Sequence, residues 1–139
     1  MEMNRETLTE FLKSEFRQVA DMFAIEDVRP RAVTVRLHQD DRHLRPGGTV
    51  SGPAMFALAD VSVYLAILSM IGPKALSVTT NCSIDFMRKP AAGVDLICQA
   101  RILKLGRILA VGDCLLFSEG LEDPVARASL TYSIPPAPR

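Results

Sequence analysis

The feature that most constrains this chain is the run from Ala54 to Leu68, where thirteen of fifteen residues are apolar and only Asp60 and Ser62 interrupt. Gly52-Pro53 opens the run and Gly72-Pro73 closes it. Proline suits the first helical position, where its missing N–H costs nothing, and glycine suits the residue past the end. The spacing therefore predicts a helix. A helix that is apolar on every side has to be enclosed. The rest of the chain must supply a wall that curls around it.

Residues 32–38 alternate, with Val33, Val35 and Leu37 set against Thr34, Arg36 and His38, as a half-buried strand does. Four further strand patterns follow the central run, at 76–86, 94–103, 108–118 and 125–134. In the first of them Leu76, Val78, Thr80, Cys82, Ile84 and Phe86 are expected to face the helix. Ser77, Thr79, Asn81, Ser83 and Asp85 are expected to face away. The last has Ala126, Ala128, Leu130, Tyr132 and Ile134 on one face. Near the start, Leu8, Phe11, Leu12, Phe16, Val19, Met22 and Phe23 recur at three- and four-residue steps, predicting an amphipathic helix over about 6–23. Residues 39–50 read as a loop and the Pro-rich 135–139 as a frayed tail.

Four consecutive strands with short connections can pair as an antiparallel meander. The expectation is a single α+β domain over 1–139 with its core at about 32–134. A curved antiparallel sheet wraps one buried central helix, which is the hotdog fold, and an extra helix precedes it. One such sheet covers only part of the helix and leaves strand edges open. Pairing of two copies, as a homodimer or a dimer of dimers, would solve both problems.

Composition narrows the functional classes. The chain has 16 basic and 16 acidic residues, so no basic excess points to nucleic acid. Cys82, Cys98 and Cys114 lie sixteen residues apart each time, an odd count without a CxxC pair. That spacing argues against a disulfide framework or a metal site and suits free thiols in a reducing cytoplasm. The stretch Pro53–Pro73 carries Asp60 and flanking prolines and makes a poor membrane span. Glu2, Arg5, Glu6 and Glu10 make the first residues too polar for a signal peptide.

Asp60 is the residue that needs explaining. A carboxylate in an apolar helix is costly unless it is hydrogen-bonded or paired. As structure it would cap a loop or meet an arginine; as chemistry it is a candidate general base or nucleophile. Gly52 stands eight residues earlier, a little over two helical turns, on roughly the same side. A helix N-terminus offers free N–H groups and partial positive charge, suited to an oxyanion, or it is simply a helix start.

The segment from Val50 through Ser51-Gly52-Pro53 to Leu58-Ala59-Asp60 resembles the central-helix motif of PaaI-like hotdog thioesterases, typically His-Gly-Gly followed by an apolar run ending Leu-Ala-Asp. Ser83-Ile84-Asp85-Phe86-Met87-Arg88-Lys89-Pro90, Leu105-Gly106-Arg107 and Val125-Ala126-Arg127-Ala128 are also similar to that family, over about residues 32–134. The resemblance implies hydrolysis of an acyl-coenzyme A without metal or cofactor. Asp60 would activate water or attack the carbonyl, and the Gly52 N–H would polarise the thioester oxygen. Thr79 from a second copy, with Thr80 and Asn81 as neighbours, would help place the water. Arg45 and Gly48, before the helix, would lie beside the substrate.

Three positions depart from the family pattern. Ser51 stands where histidine is usual, Pro53 where a second glycine is usual, and Arg45 or Pro46 where an asparagine often stands. Arg88 and Arg107, beside turns, could meet coenzyme A phosphates or be solvated turn arginines. Two rival functions follow: a hotdog acyl-thioester hydratase or dehydratase, and a non-catalytic acyl-CoA-binding subunit. The hydratase pattern pairs a loop histidine with a helix carboxylate about five residues after a Pro-Gly turn; His43 lies seventeen residues before Asp60, and the spacing does not fit.

Overall fold

The computed structural model describes residues 1–17, 20–74 and 77–136. Val19, Leu76 and residues 137–139, which figured in the expectations above, lie outside them. Eight main elements run in order: α1 (Arg5–Glu15), β1 (Phe23–Arg29), β2 (Ala32–Leu37), α2 (Gly52–Ile71), β3 (Val78–Phe86), β4 (Leu96–Leu105), β5 (Leu109–Ser118) and β6 (Ala126–Ser133). The strands form one antiparallel sheet in the order β1-β2-β4-β5-β6-β3, and α2 packs against it. This is the hotdog architecture with an added N-terminal helix.

Both helix starts follow from their caps. Asn4 and Thr7 form a reciprocal capping box at α1. Ser51 caps α2, its hydroxyl accepting the Ala54 N–H at 3.3 Å, with Pro53 in the first turn. Gly72, at φ 91°, ends α2 in a conformation that suits only glycine.

Three expectations change. The first helix stops at Glu15, and Ala20–Met22 is a single 3₁₀ turn leading into β1, a strand the spacing had hidden. A bulge explains the misreading. Between Ile25 and Asp27 the register against β2 slips by one residue, so Phe23 and Ile25 face inward and the alternation then breaks. With the two-residue period interrupted, Met22 and Phe23 looked like the continuation of a helical stripe.

The last four strands do not form one meander. β4, β5 and β6 pair in sequence, but β3 lies on the far side of β6, at the sheet edge. The link 87–95, with Pro90 and a left-handed Gly93, carries the chain across. The inward face of β3 also switches at a bulge between Thr79 and Asn81. Ser77 and Thr79 point toward α2 before the bulge, and Cys82 and Ile84 after it. Val78 is consequently 55% exposed, against the expectation that it covers the helix, and Phe86 is 52% exposed.

By length and composition α2 could cross a membrane, yet the sheet wraps most of it, and Leu58, Leu65, Ile67 and Leu68 are fully buried. The enclosure is incomplete along one stripe. Pro53, Phe56 and Ala57 are exposed, and Asp60 and Val61 half-buried, at the three- and four-residue steps of a single helix face. The one charged residue of the helix sits on the one face the sheet leaves open.

Candidate active site

Asp60 occupies the middle of α2 and is solvated by the sheet. Thr79 of β3 donates its hydroxyl to Asp60 Oδ1 at 2.6 Å. The Tyr132 hydroxyl, from β6, contacts the same Oδ1 and also reaches the Asp60 main-chain carbonyl at 2.7 Å. Thr79 and Tyr132 are cross-strand partners in the β3–β6 pairing, so the register alone delivers both hydroxyls to one point. Tyr132 is itself fixed by stacking on Tyr64 at 5.9 Å between ring centroids.

The electrostatics follow from that packing. Burial, then the Asp60 charge, pushes the Tyr132 hydroxyl well above the ordinary phenol range, so it stays a proton donor. Burial and the same charge also raise the nearby Cys82 thiol. Tyr64 is pushed up to about 12, chiefly by burial.

Beside Asp60 lies a pocket of about 510 Å³. Phe16, Met22, Phe23, Phe56 and Val61 form its apolar wall, and Asp60, Thr79 and Tyr132 its polar end. A larger groove of about 710 Å³ crosses the sheet, but its charges are committed to Arg101–Asp113, Arg127–Asp85 and Arg29–Asp27 pairs and it does not include Asp60. An apolar cavity ending in a held carboxylate is the better setting for chemistry on a partly apolar ligand.

The other sequence candidates are spread out. Gly52 begins α2 with the Phe86 ring against it; a methyl group there would lie 3.4 Å from the ring. Eight helical residues separate Gly52 from Asp60 by about 12 Å along the axis. The two cannot serve one carbonyl within a single chain, although they share a helix side. Ser51 is engaged as the helix cap. Arg45 and Gly48 form the turn before α2, in which the Gly48 N–H donates to the Arg45 carbonyl at 3.0 Å. Thr80 and Asn81 are exposed around the bulge. Arg88 donates to the Pro124 carbonyl, and Arg107 is exposed in the β4–β5 turn.

The expectation that Thr79 reaches Asp60 from a second copy is overturned, because both lie in one chain. The bulge turned Thr79 inward where strict alternation had turned it outward. Tyr132 was missed altogether. Its signal was present: a tyrosine on an inward strand face needs a partner for its hydroxyl, and Asp60 is the one charged residue of the helix it faces.

A family model, the thioesterase superfamily, matches residues 47–125, more than half of the chain. The chain belongs to the thioesterase superfamily. This superfamily member is 32% identical over 105 residues to an assigned esterase of Pseudomonas aeruginosa, covering 76% of this chain and 77% of that one. It superimposes with a TM-score of 0.91 and 59% identity on the crystal structure of an assigned thioesterase from Silicibacter sp. TM1040, over 96% of this chain and 93% of that one. The phenylacetic acid degradation protein PaaI of Thermus thermophilus is similar at 26% identity and TM-score 0.74, over 86% and 99% of the two chains. A hypothetical thioesterase of Streptococcus pneumoniae, crystallised with coenzyme A, shares the fold at 20% identity and TM-score 0.75, over 96% and 98%. At the general level, then, this thioesterase superfamily member is a thioester hydrolase.

Proposed function

We propose that the substrate is an acyl-coenzyme A and that Asp60 is the group that starts its hydrolysis. The observation that carries this reading is the Asp60 carboxylate, held by two hydroxyls at the mouth of an apolar pocket on the uncovered face of α2. The acyl group enters the pocket. Asp60, as general base, takes a proton from water as the water oxygen bonds to the thioester carbon. The resulting oxyanion is held by a backbone N–H, the C–S bond breaks, and coenzyme A leaves as the thiol with the proton returned. Direct attack by the carboxylate, through an anhydride that water then opens, uses the same residue. A single turnover in ¹⁸O-water identifies the second route when water opens the anhydride at the Asp60 carbonyl, since the label then enters Asp60 and the released acid carries an unlabelled enzyme oxygen; the first route always labels the acid.

The oxyanion donor is assigned to Gly52 of a second copy. The Gly52 of the same chain lies about 12 Å away along the helix, while β3 offers an unpaired edge beside Asp60. Two copies joined edge to edge by β3 would extend the sheet and cover the open stripe of α2. The homodimer, or a dimer of dimers, is thus part of the proposal, as is a cytoplasmic setting for three free thiols. Arg107, with Arg88, is assigned to the coenzyme A phosphates, with Arg45, Gly48, Thr80 and Asn81 along the approach.

The hydratase reading is disfavoured by His43. Its Nδ1 accepts the Asp40 N–H at 3.0 Å and its Nε2 lies 3.1 Å from Met22 Sδ, so the buried ring is committed to its own loop and to the turn before β1. The deciding experiment is thiol release from a panel of acyl-coenzyme A thioesters by the wild type and by Asp60→Asn. A fall of roughly 10²–10⁴ is expected, the usual cost of losing a general base. A variant within a few-fold of wild type would exclude Asp60. Saturable binding without thiol release would make the chain a binding subunit.

A further inference from the structure

The two oxygens of the Asp60 carboxylate are not equivalent. Oδ1 takes both hydroxyls, from Thr79 at 2.6 Å and from Tyr132. Oδ2 accepts no hydrogen bond from the described residues. Asp60 is half-buried and borders the pocket. A carboxylate offers about four lone-pair positions, and here the partners crowd onto one oxygen.

Tyr132 does more than add a hydrogen bond. Its hydroxyl spans Oδ1 and the main-chain carbonyl of the same residue. A carboxylate on a helix can normally turn about its side-chain torsions. A rigid phenol bridging side chain and backbone removes that freedom. The phenol is rigid because its ring is buried and stacked on Tyr64, which packs edge-on against Phe16 at 5.7 Å. We infer that Tyr132 is a positioning residue that clamps Oδ1 of Asp60 and leaves Oδ2 as the oxygen that receives the water proton. This rests on the reading of Asp60 as the reactive carboxylate.

The clamp has an electrostatic consequence. Hydrogen bonds donated to a carboxylate favour its charged form, so losing one makes the proton harder to remove. The titratable groups against Asp60 are Tyr132 on β6 and Cys82 on β3, with Tyr64 of α2 behind the Tyr132 ring. Burial keeps all three protonated near neutral pH.

The test is Tyr132→Phe, which keeps the stacked ring and deletes the hydroxyl. The expected result is a fall in kcat of roughly ten- to a hundredfold, the scale of one hydrogen bond to a charged group or a slight misplacement. KM stays within about twofold, and the acidic limb of kcat/KM moves to higher pH. Added to Asp60→Asn, the same change has no further effect on rate. An unchanged kcat, a parallel loss in both backgrounds, or an unmoved acidic limb would overturn the clamp. Should Tyr132→Phe fold poorly, Thr79→Val probes the same oxygen, with Thr79→Ser as the rescue. A readout without turnover separates the clamp from the activity: the ¹³C-carboxyl titration of Asp60 should shift upward in Tyr132→Phe and in Thr79→Val. An upward shift in the variants, alongside a wild type that releases no thiol, would retain the clamp and refute the thioesterase reading; no shift in either variant would refute the clamp.

Discussion

A carboxylate on an apolar helix needs something to stand in for water, and at Asp60 two strand hydroxyls do so. The arginines at the periphery face the opposite question: whether their charge is spent within the chain. Arg88 gives one N–H to the Pro124 carbonyl, while Arg107 stands exposed in the β4–β5 turn. If Arg107 meets the nucleotide end of coenzyme A, Arg107→Ala should raise KM for the acyl-coenzyme A severalfold, an exposed charge contact being worth only about 1 kcal/mol. KM for the acyl-pantetheine should hardly change. Equal effects on the two substrates would return Arg107 to a structural role, and the same comparison applies to Arg88→Ala. At this scale the sequence was most legible where polarity conflicted with surroundings. Asp60 stood out because every neighbour on its helix contradicted it. Tyr132 did not, because tyrosine on an inward strand face is unremarkable until its hydroxyl is asked to find a partner.

Among the elements, the existence of α2 and of the four strands after it was legible because each carries a recognisable period between proline and glycine punctuation. β1 and the inward face of β3 were not, and both failures have one cause: a bulge inserts a residue and reverses the faces beyond it. Close packing between elements was equally invisible. A methyl group on Gly112 of β5 would lie 2.8 Å from Val63 Cγ1 and 2.9 Å from the Arg101 carbonyl. Glycine is needed there for proximity of sheet to helix. Gly112→Ala should cost about 1–3 kcal/mol by overpacking and lower Tm accordingly; an unaltered Tm would show that the sheet can yield. The far end of the sheet is held by charge. Arg36 of β2 reaches Glu26 at 2.9 Å, Asp95 at 3.1 Å and Glu119, joining β1 to the segments before β4 and after β5. Burial pushes the Asp95 carboxyl up, but the Gln39 N–H, Arg36 and His38 together hold it below the usual 3.8. A folded pKa below the unfolded one contributes stability that is complete above the unfolded value and lost as pH falls through the folded one. Tm should therefore decline as pH drops below about 4, and Asp95→Asn should flatten part of that decline while lowering Tm at neutral pH. A variant with the parental acid profile would remove Asp95 from the account.

For the whole molecule, the decisive distance is the length of α2 between Gly52 and Asp60. The pattern on one chain suggested that both act together, but a separation of about 12 Å means that one carbonyl can meet them only if they come from different copies. Thr79 and Tyr132, by contrast, belong with the Asp60 of their own chain. On the proposed reading the site divides into a half with Asp60, Thr79 and Tyr132 and a half with the Gly52 N–H, to be joined where the open β3 edges of two copies would pair. Subunit exchange tests that division. Asp60→Asn disables one half, and Gly52→Pro removes the N–H of the other. In a mixed dimer one site carries both defects and the other carries neither. About a quarter of all sites should then recover in a randomly mixed population, as two-fold symmetry requires. Asp60→Asn mixed with Tyr132→Phe should recover no fully intact half from complementary defects, because both lesions fall on the same half and every site keeps one of them. Recovery in the second mixture beyond the activity of its parents, its absence in the first despite proven exchange, or a monomer active at full rate would each refute the divided site.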